Sequence, residues 1–277
     1  MMKPLDCVVV SGIKSYSPEM MDLYNDYPDN GFEFMETMEH DNFWWIRSRS
    51  RILKNIIRTL SSNFPQAQFL EIGCGTGTLL QEIGDIPNLS ITGSEIYLKG
   101  LLFAKKKLPN MEFIQYDVTK GILPEQFDII GSFDVLEHIE DDTTAIANIY
   151  AMTRSGGYFV VTVPQYMFLW SDLDNSVNHK RRYSKKELVN KLKKEGFTID
   201  FSSSFVFILF PLMLVSRLFD SLFEKKDISQ KSLEKRVHIP KTLDMLFDVI
   251  MRIDEFLIKK RITLPFGGTL LVIAKKL

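Results

Sequence analysis

The feature that most constrains the fold of this 277-residue chain is an apolar stretch that runs directly into three alternating glycines. It reads Phe-Leu-Glu-Ile-Gly-Cys-Gly-Thr-Gly over residues 69–77, and a helix is expected to start at 78–83. Glycine adopts positive φ at no steric cost and lets the backbone approach a ligand that a Cβ would exclude. In open α/β sheets such a strand–turn–helix lies at the carboxyl edge, where ligands bind. The stretch therefore predicts a nucleotide-type ligand site at the end of a parallel strand.

The spacing of Gly73, Gly75 and Gly77 excludes two common phosphate sites. A dinucleotide site needs G-x-G-x-x-G, whereas Thr78 stands here in the place of the last glycine. A P-loop is excluded because no Gly-Lys-Ser/Thr follows. Glu71 lies inside the motif and is expected to face the pocket. An acidic side chain there suits a ligand with positive charge, such as a sulfonium or an amino group.

Three later stretches each end an apolar strand in a polar side chain. Glu95 ends the second strand, about 20 residues past the glycines, where an acid can hydrogen-bond both ribose hydroxyls. Asp117 ends a third short strand. The fourth strand begins at Phe127 and leaves through Asp-Val-Leu-Glu-His, residues 134–138. All four strands thus predict polar groups at the same edge of the sheet.

Together the four stretches resemble the motifs of the class I S-adenosylmethionine (SAM) dependent methyltransferases. The resemblance implies SAM as cofactor and S-adenosylhomocysteine as product, with Glu95 on the ribose and Asp117 on the adenine amino group. It also implies an N-terminal helix that closes over the SAM carboxylate, within reach of Arg47. The residues expected to bind the cofactor are Arg47, Glu71, Gly73, Cys74, Gly75, Gly77, Glu95, Ile96, Asp117, Val118, Phe133 and Asp134. Two plainer interpretations stay open: Glu95 and Asp117 can cap helices or turns, and Cys74 can be the small side chain that the turn requires.

Short apolar strands alternate with helices from residue 68 onward, which predicts an α/β fold with a doubly wound, mostly parallel sheet. Seven strands are expected, near 68–72, 90–94, 111–115, 127–132, 157–163, 197–203 and 269–274. The predicted divisions are an N-terminal helical segment over the cofactor site (1–66), a Rossmann-like SAM-binding core (67–204 and 263–277) and a helical insertion (205–262). Within the first division, residues 1–36 are interpreted as irregular with short helices. The insertion is expected to pack on the core, or else to act as a lid or dimer contact.

Composition narrows the class of partner. A net charge of −1 provides no overall field to attract nucleic acid. The two cysteines exclude a disulfide scaffold and a zinc cluster, and they fit a reducing cytosol. The N-terminus lacks a long apolar segment, so no signal peptide is expected. The apolar run at 205–215 is too short to span a membrane. It is either a buried strand leading into a core helix or, over 205–219, a surface that touches membrane or a lipid-linked substrate.

Two histidines are candidates for the chemistry. Methyl transfer is an in-line displacement that depends mainly on orientation, and a general base is needed only when the acceptor must lose a proton. His138 follows the fourth strand, and His179 follows the fifth strand and its loop. Either imidazole can accept a proton near neutral pH, and either can instead orient a loop. Glu137 and His138 are adjacent and lack further ligands, so no metal is expected.

Flat and cationic side chains are the candidate acceptor contacts. They are Trp45, Tyr166, Trp170, Arg181, Arg182 and Tyr183. Arginine forks suit carboxylate or phosphate, and aromatic rings suit sugar or prenyl groups. Each has a structural alternative, because the two arginines can pair with Asp172 or Asp174 and the tryptophan can be a core residue.

Four further stretches sharpen the resemblance: 38–47, 136–139, 163–171 and 179–183. Together they are similar to a bacterial subgroup associated with glycan and lipid-linked saccharide biosynthesis. The resemblance implies methyl transfer to a hydroxyl or amine of a small or lipid-linked acceptor, with a saccharide as one candidate. A SAM-binding protein with a regulatory or assembly role is the alternative. The sequence leaves the oligomeric state open.

Overall fold

The computed structural model describes residues 5–20, 32, 43–223 and 239–277, and its centre is one sheet. The strands are β1 (Val8–Val10), β2 (Ile13–Ser15), β3 (Ala67–Ile72), β4 (Leu89–Glu95), β5 (Glu112–Gln115), β6 (Phe127–Phe133), β7 (Thr153–Pro164), β8 (Thr198–Phe205) and β9 (Thr269–Lys275). Their order across the sheet is β1-β2-β5-β4-β3-β6-β7-β9-β8.

The predicted doubly wound, mostly parallel sheet is confirmed. Strands β5, β4, β3, β6 and β7 run parallel to one another. Strand β9 lies antiparallel between β7 and β8. The strand order reverses between β3 and β6, and open α/β sheets bind ligands at the carboxyl edge of such a reversal. The glycine turn follows β3 at that point.

The sheet contains nine strands, so the predicted number of seven is wrong. The two additional strands form a hairpin within residues that were expected to contain short helices. The hairpin joins the sheet edge through β2, where Lys14 and Ser15 pair with Ile114 and Gln115 of β5. A three-residue strand has too little alternation to be detected by period, and it is stabilised by the sheet that it joins. Residues 21–31 and 33–42 of the same segment lie outside the described part of the chain.

Helices cover both faces of the sheet. They are α1 (Trp44–Ser61), α2 (Thr78–Ile83), α3 (Leu98–Lys107), α4 (Asp142–Met152), α5 (Asp172–Ser176), α6 (Lys185–Lys194), α7 (Phe210–Phe223) and α8 (Lys241–Lys259). One apolar core contains buried residues of α1, α2, α3 and α8, and the other contains those of α4 and α6. Neighbouring strand residues supply opposite cores, as Phe69 and Leu70 do. Side chains alternate along a strand, so each strand serves both layers.

Helix α8 packs against α1 through ion pairs. Asp248 lies 2.8 Å from Arg51, whose guanidinium also reaches Glu255 at 2.9 Å. Apolar side chains on the outer side of α8 are exposed instead: Leu243, Met245, Leu246, Val249, Ile253 and Phe256. The expected packing of the apolar face of this helix on the core is therefore only partly right. Phe247, Ile250 and Leu257 pack on the core, and the remainder faces outward.

The apolar run at 205–215 divides in the same way. Phe205, Val206 and Leu209 are buried, whereas Leu212 and Val215 are about half exposed. The first residues of the run are thus buried as the first interpretation expected, and contact of the exposed part with membrane or a lipid-linked substrate stays a prediction. Among the helices of the described residues, none combines the length and the apolar character needed to cross a membrane.

Candidate active site

The turn after β3 has the left-handed backbone that its glycines were expected to allow. The φ angle is +72° at Gly73, +53° at Gly75 and +78° at Gly77. A Cβ on Gly73 would lie 2.4 Å from Cγ2 of Val135, in the loop that follows β6. Such a distance is far inside van der Waals contact, so only glycine fits. The turn and the loop after β6 therefore form one closely packed edge.

Cys74 is a buried structural residue of this turn. Its N–H donates to the carbonyl of Ser94 in β4 at 2.8 Å. Burial raises the pKa of the thiol well above its ordinary value. The side chain is therefore a small neutral group, which agrees with the plainer of its two interpretations.

Glu71 lies at the end of β3 and is 3 % exposed. Among the described residues, none donates a hydrogen bond to its Oε2. Burial raises the pKa of Glu71 to about 8, Arg49 acts in the opposite direction, and Glu95 adds to the rise. A buried carboxyl oxygen without a donor is costly, and a cationic partner would compensate it. The group therefore fits the amino end of a cofactor such as SAM.

Glu95 is the last residue of β4. Its side chain lies at the carboxyl edge of the sheet and hydrogen-bonds to the glycine turn. Its Oε2 accepts from the N–H of Gly75 at 3.1 Å, and its Oε1 accepts from Ile96 and Tyr97 at 2.8 and 3.2 Å. Burial raises its pKa, and these three backbone hydrogen bonds oppose the rise. A carboxylate has about four lone-pair sites, so about one is left for a ribose hydroxyl. The expected ribose contact stays a prediction, and the cap that was its alternative is present.

Asp117 follows β5 and closes a turn. Its Oδ1 accepts from the N–H of Thr119 at 2.9 Å and from the Thr119 hydroxyl at 2.7 Å. Its own N–H donates to Ser17 at 3.0 Å, just past the hairpin that the sequence did not predict. The neighbouring Val118 is buried. The expected adenine contacts of both residues stay predictions.

Arg49, rather than Arg47, is the arginine at the strand ends. Its Nε donates to Oδ2 of Asp134 at 2.7 Å, and its Nη2 donates to the carbonyl of Phe133 at 2.9 Å. Arg47 instead pairs with Asp244 of α8 at 2.7 Å. Successive helix residues are about 100° apart, so positions 47 and 49 point in nearly opposite directions. The structure thus does not support the predicted SAM-carboxylate role of Arg47, and Arg49 occupies the suitable position.

Both predicted histidines lie together in a cluster with Glu137. Their rings meet edge to face with centroids 4.7 Å apart. Nε2 of His179 lies 3.9 Å from Oε1 of Glu137. Glu137 is fully buried, and burial followed by the charge of Asp134 raises its pKa well above the ordinary value. His179 is about 40 residues away from Glu137 and His138 in sequence, and the fold brings it to this adjacent pair.

The two histidines differ in their surroundings. Burial, followed by the charges of His179 and Lys180, lowers the pKa of His138 to about 4, so this ring is neutral at physiological pH. His179 hydrogen-bonds through Nδ1 to Oδ1 of Asp174 at 2.8 Å. A carboxylate in that position fixes the tautomer and leaves the lone pair on Nε2, facing Glu137. His179 is therefore the better placed of the two to accept a proton.

The residues of the segment 181–183 make structural contacts, and their predicted contact with the acceptor stays a prediction. Arg182 is 7 % exposed, and its guanidinium donates twice to Asp174, at 2.7 and 2.9 Å. Tyr183 is fully buried and donates to Asp142 at 2.6 Å. Arg181 also pairs with Asp142, at 3.1 Å. Pairing with Asp174 was among the stated alternatives, whereas Asp142 was not.

The three aromatic residues predicted to contact the acceptor, Trp45, Tyr166 and Trp170, lie at different places in the structure. Trp45 is half-buried, with its ring 5.3 Å from the guanidinium carbon of Arg49. Tyr166 follows β7 and stacks on Phe168 with centroids 5.0 Å apart. Trp170 donates through Nε1 to Asn175 at 2.9 Å, within its own loop. The first two lie close to the carboxyl edge, and a role for any of the three in acceptor binding stays a prediction.

A family model described as "Methyltransferase domain" matches residues 44–200. This range is more than half of the chain and includes the glycine turn, the strand-end acids and both histidines. The chain belongs to the methyltransferase domain family.

Curated relatives agree with this family. A probable S-adenosylmethionine-dependent methyltransferase of Mycolicibacterium smegmatis is 22% identical over 176 residues, which are 62% of this chain and 66% of that protein. A trans-aconitate 2-methyltransferase of Deinococcus radiodurans is 29% identical over 110 residues, which are 39% of this chain and 42% of that protein. The chain thus spans 42% to 66% of the length of these two relatives.

Solved structures share the fold. The phosphoethanolamine N-methyltransferase 2 of Haemonchus contortus, in complex with SAM, aligns with a TM-score of 0.55 and 17% identity over 91% of this chain and 58% of that chain. The [4+2]-cyclase SpnF aligns with a TM-score of 0.53 and 17% identity over 82% of this chain and 81% of that chain. The fold is therefore the Rossmann-like methyltransferase fold. Since one of the two is named for another reaction, the fold alone does not identify the reaction.

SAM is the cofactor of this family, and the edge described above fits it. The glycine turn leaves no space for a side chain at Gly73. Glu71 presents a buried carboxyl oxygen without a donor in the described structure. SAM carries an amino group and a sulfonium, and both favour a carboxylate nearby. Glu71, Glu95 and Arg49 are the residues that would hold it, and bound SAM would supply an activated methyl group.

A Glu71→Gln substitution should change how both stability and SAM binding depend on pH. The folded-state pKa of Glu71 is raised to about 8, so between about 4.5 and 8 the folded protein holds a proton that the unfolded chain has lost. The stability of the SAM-free protein should therefore fall as pH rises through this window, and the variant should show a flatter profile. SAM affinity should instead rise with pH in the wild type and be weak and flat in the variant. Urea unfolding and calorimetric titration at several pH values measure the two; parallel profiles for both proteins would contradict the prediction.

Proposed function

We propose that the protein transfers the methyl group of SAM to a hydroxyl or amine of a lipid-linked acceptor, with a saccharide as the candidate headgroup. The observation that carries the transferase part is the cluster of Glu137, His138 and His179 beside Asp134, at the same sheet edge as the glycine turn. A hydroxyl or protonated amine must lose a proton as it is methylated. The cluster supplies proton-accepting atoms there, with His179 oriented by Asp174.

Exposed apolar side chains beside this edge support a lipid-linked acceptor. Met167 and Phe168, which follow β7, are 56% and 67% exposed. Phe168 stacks on Tyr166, and the Tyr166 ring meets Phe210 at the start of α7. Leu212 follows Phe210 by two positions in α7 and is half exposed. Exposed apolar side chains that cluster, rather than lie singly, mark interaction or lipid-contact sites.

The outer face of α8 extends the argument to an anionic membrane surface. Its acids point inward to the arginines of α1, while its exposed apolar residues lie among exposed basic ones: Lys241, Arg252, Lys259 and Lys260. An apolar face flanked by lysine and arginine is the pattern of helices that lie at the surface of anionic membranes. The first turn of α8 contacts Trp44 and Arg47 at the start of α1, one turn before Arg49. Docking through this face would therefore bring the sheet edge close to the lipid headgroups.

Membrane docking predicts a specific loss on mutation. The wild type should co-sediment with vesicles containing anionic lipid, and Leu246→Gln combined with Val249→Gln should reduce the bound fraction severalfold. Each exposed aliphatic residue contributes about 1 kcal/mol or more when it enters the interface. Leu102→Gln is the matched control, because Leu102 is 47% exposed on α3, another surface of the molecule. Equal loss in both variants, or no binding by the wild type, would contradict docking through α8.

The transferase proposal is tested with isotopically labelled SAM. Acceptors are offered as matched pairs, with the same hydroxylated or amino headgroup either free in water or attached to a polyprenyl chain. Label should pass to the lipid-linked member at a higher kcat/KM, and His179→Ala should lose most of the transfer while still binding SAM. No binding of SAM in calorimetric titration would refute the proposal as a whole. Binding without transfer to either member of each pair would favour the regulatory alternative.

A further inference from the structure

Glu137, His138 and His179 have the composition of a metal site as well as that of a proton acceptor. We propose that these three side chains bind one divalent transition-metal ion of the zinc, cobalt or manganese type. Two imidazoles and one carboxylate form the ligand set of metal sites that keep open positions for a substrate. Each of the three offers one ligand atom, and these atoms lie within 4.8 Å of one another.

The first observation that supports a bound ion is the environment of the Glu137 carboxylate. The Glu137 side chain is 0% exposed. Neither of its oxygens accepts a hydrogen bond within the described structure. Its position at the loop after β6 turns it toward His179, whose Nε2 is 3.9 Å from Oε1. A buried carboxyl group without any donor is rare in folded proteins, because the cost of desolvation is uncompensated. A cation bound between these groups would compensate it.

The second observation is independent of Glu137: His179 is hydrogen-bonded to a carboxylate on the side of its ring that faces away from the cluster. Nδ1 of His179 bonds Oδ1 of Asp174 at 2.8 Å, so Nε2 is left as the ligand atom. Asp174 is itself fixed by Arg182 at 2.7 Å and by the N–H of Ser171 at 2.8 Å. Metal-binding histidines nearly always donate their second N–H to a carboxylate or carbonyl in this way.

His138 is held in the same manner by the backbone. The backbone at Val177 and Asn178 lies within hydrogen-bond reach of its ring and orients it. The three ligand atoms are only slightly farther apart than they would be around a bound ion. Ligands of one ion with bonds of about 2.1 Å lie roughly 3 to 4 Å apart. Side-chain rotations of about an ångström would bring the three atoms to that separation.

A role for the ion in catalysis rests on the proposed function, whereas the proposal that the ion binds is independent of it. Three protein ligands leave at least one position open for an acceptor hydroxyl. A cation lowers the pKa of a hydroxyl that it binds, so the proton passes more readily to water. The acceptor oxygen then forms the bond to the methyl carbon as the C–S bond breaks, and sulfur keeps the electron pair. With the ion bound, Glu137 and the two histidines position the acceptor and hold the ion; in the ion-free protein, His179 is the proton acceptor of the proposed function.

The test measures metal binding directly. The full chain, treated with a chelator and dialysed, is titrated with Co²⁺ followed by visible absorbance and with Zn²⁺ in a calorimeter. One ion per chain is expected, and Glu137→Gln should weaken binding by more than about 100-fold. Asp174→Asn removes the carboxylate that orients His179 and also the ion pair with Arg182. In a chain that circular dichroism shows to be folded, it should weaken binding by about 10- to 100-fold. Asp254→Asn is the matched control, because Asp254 is also a buried carboxylate with an unpaired oxygen but lies away from any described histidine, and it should bind like the wild type.

Three results would overturn the proposal. The first is that no ion binds at millimolar concentration. The second is that Glu137→Gln leaves binding unchanged, which would show that the ion binds adventitiously. The third is that the protein prefers Mg²⁺ to Zn²⁺. SAM titration of the same chelator-treated samples keeps the two proposals separate. Metal binding without SAM binding would refute only the proposed function, and the reverse would refute only the metal site. Circular dichroism and retained SAM affinity show that the Glu137→Gln chain is folded.

Discussion

Replacing Gly73 by alanine should reduce SAM affinity by about 100-fold or more while leaving most of the sheet folded. The backbone at Gly73 has φ +72°, a conformation that costs an L-residue roughly 1–2 kcal/mol. The added Cβ would also lie 2.4 Å from Cγ2 of Val135, so the turn or the loop after β6 must move. Displacements of about 1 Å at a binding edge commonly cost on the order of 100-fold in function. Calorimetric titration with SAM and urea unfolding measure the two effects separately.

Gly156→Ala is the matched control for this prediction. Gly156 also has a left-handed backbone, with φ +81°, but a Cβ there would meet nothing within 4 Å. It lies near the start of β7, at the opposite edge of the sheet from the turn. The variant should therefore lose about 1 kcal/mol of stability from the backbone alone and bind SAM like the wild type. Equal affinity losses in both variants would contradict the prediction, because they would show a general effect of destabilisation and not a local effect of the contact with Val135.

The parallel part of the sheet could be predicted because each strand has a local signature. The strands from β3 to β6 are short apolar runs, and several end in, or are followed by, a glycine or an acid that marks the carboxyl edge. The hairpin at 8–15 has no such signature. Its stability comes from pairing with β5, through residues about 100 positions away in sequence, and the Lys14–Glu112 ion pair is one such contact.

The arginine at the site could have been found from the phase of α1. Ile52 and Leu53 are buried, and Arg49 precedes them by three and four positions, on the same face of the helix. Arg47 lies on the opposite face, toward α8. The resemblance pointed to an arginine on this helix, and helical geometry decides which one reaches the strand ends.

The cluster at Glu137 could be predicted only in part. The strand-end position of His138 is visible in the sequence, but the pairing of His179 with it depends on how the loop after β7 folds back over β6. That loop is held by Asp174, which forms a capping box with Ser171 and accepts from Arg182. The box pattern of Ser171 and Asp174 is local, whereas the arginine pairing is tertiary. Sequence patterns alone could not show that the Arg182 side chain is buried in an ion pair with Asp174 and is not exposed to bind a substrate.

Replacing Arg182 by methionine should destabilise the protein by about 3–5 kcal/mol, the usual cost of removing one partner of a buried ion pair. The side chain of Asp174 is 0% exposed and would lose both guanidinium hydrogen bonds. Arg181→Met is the matched control, with an expected cost near 1 kcal/mol or less. Its guanidinium is 21% exposed, and its partner Asp142 keeps Lys191 at 2.7 Å as a second cation. Urea unfolding followed by circular dichroism gives both values.

The dependence on pH provides a second, independent check on Arg182. Burial raises the pKa of Asp174, but hydrogen bonds from His179 and Arg182 outweigh it and hold the pKa well below its usual range. A carboxyl group with a lowered folded-state pKa stabilises the protein above its unfolded value of about 3.9, and this stabilisation is lost as pH falls. The difference in stability between wild type and Arg182→Met should therefore narrow below about pH 4. If the variant instead keeps wild-type stability and raises only the KM for the acceptor, Arg182 contacts the substrate and the ion pair with Asp174 is secondary.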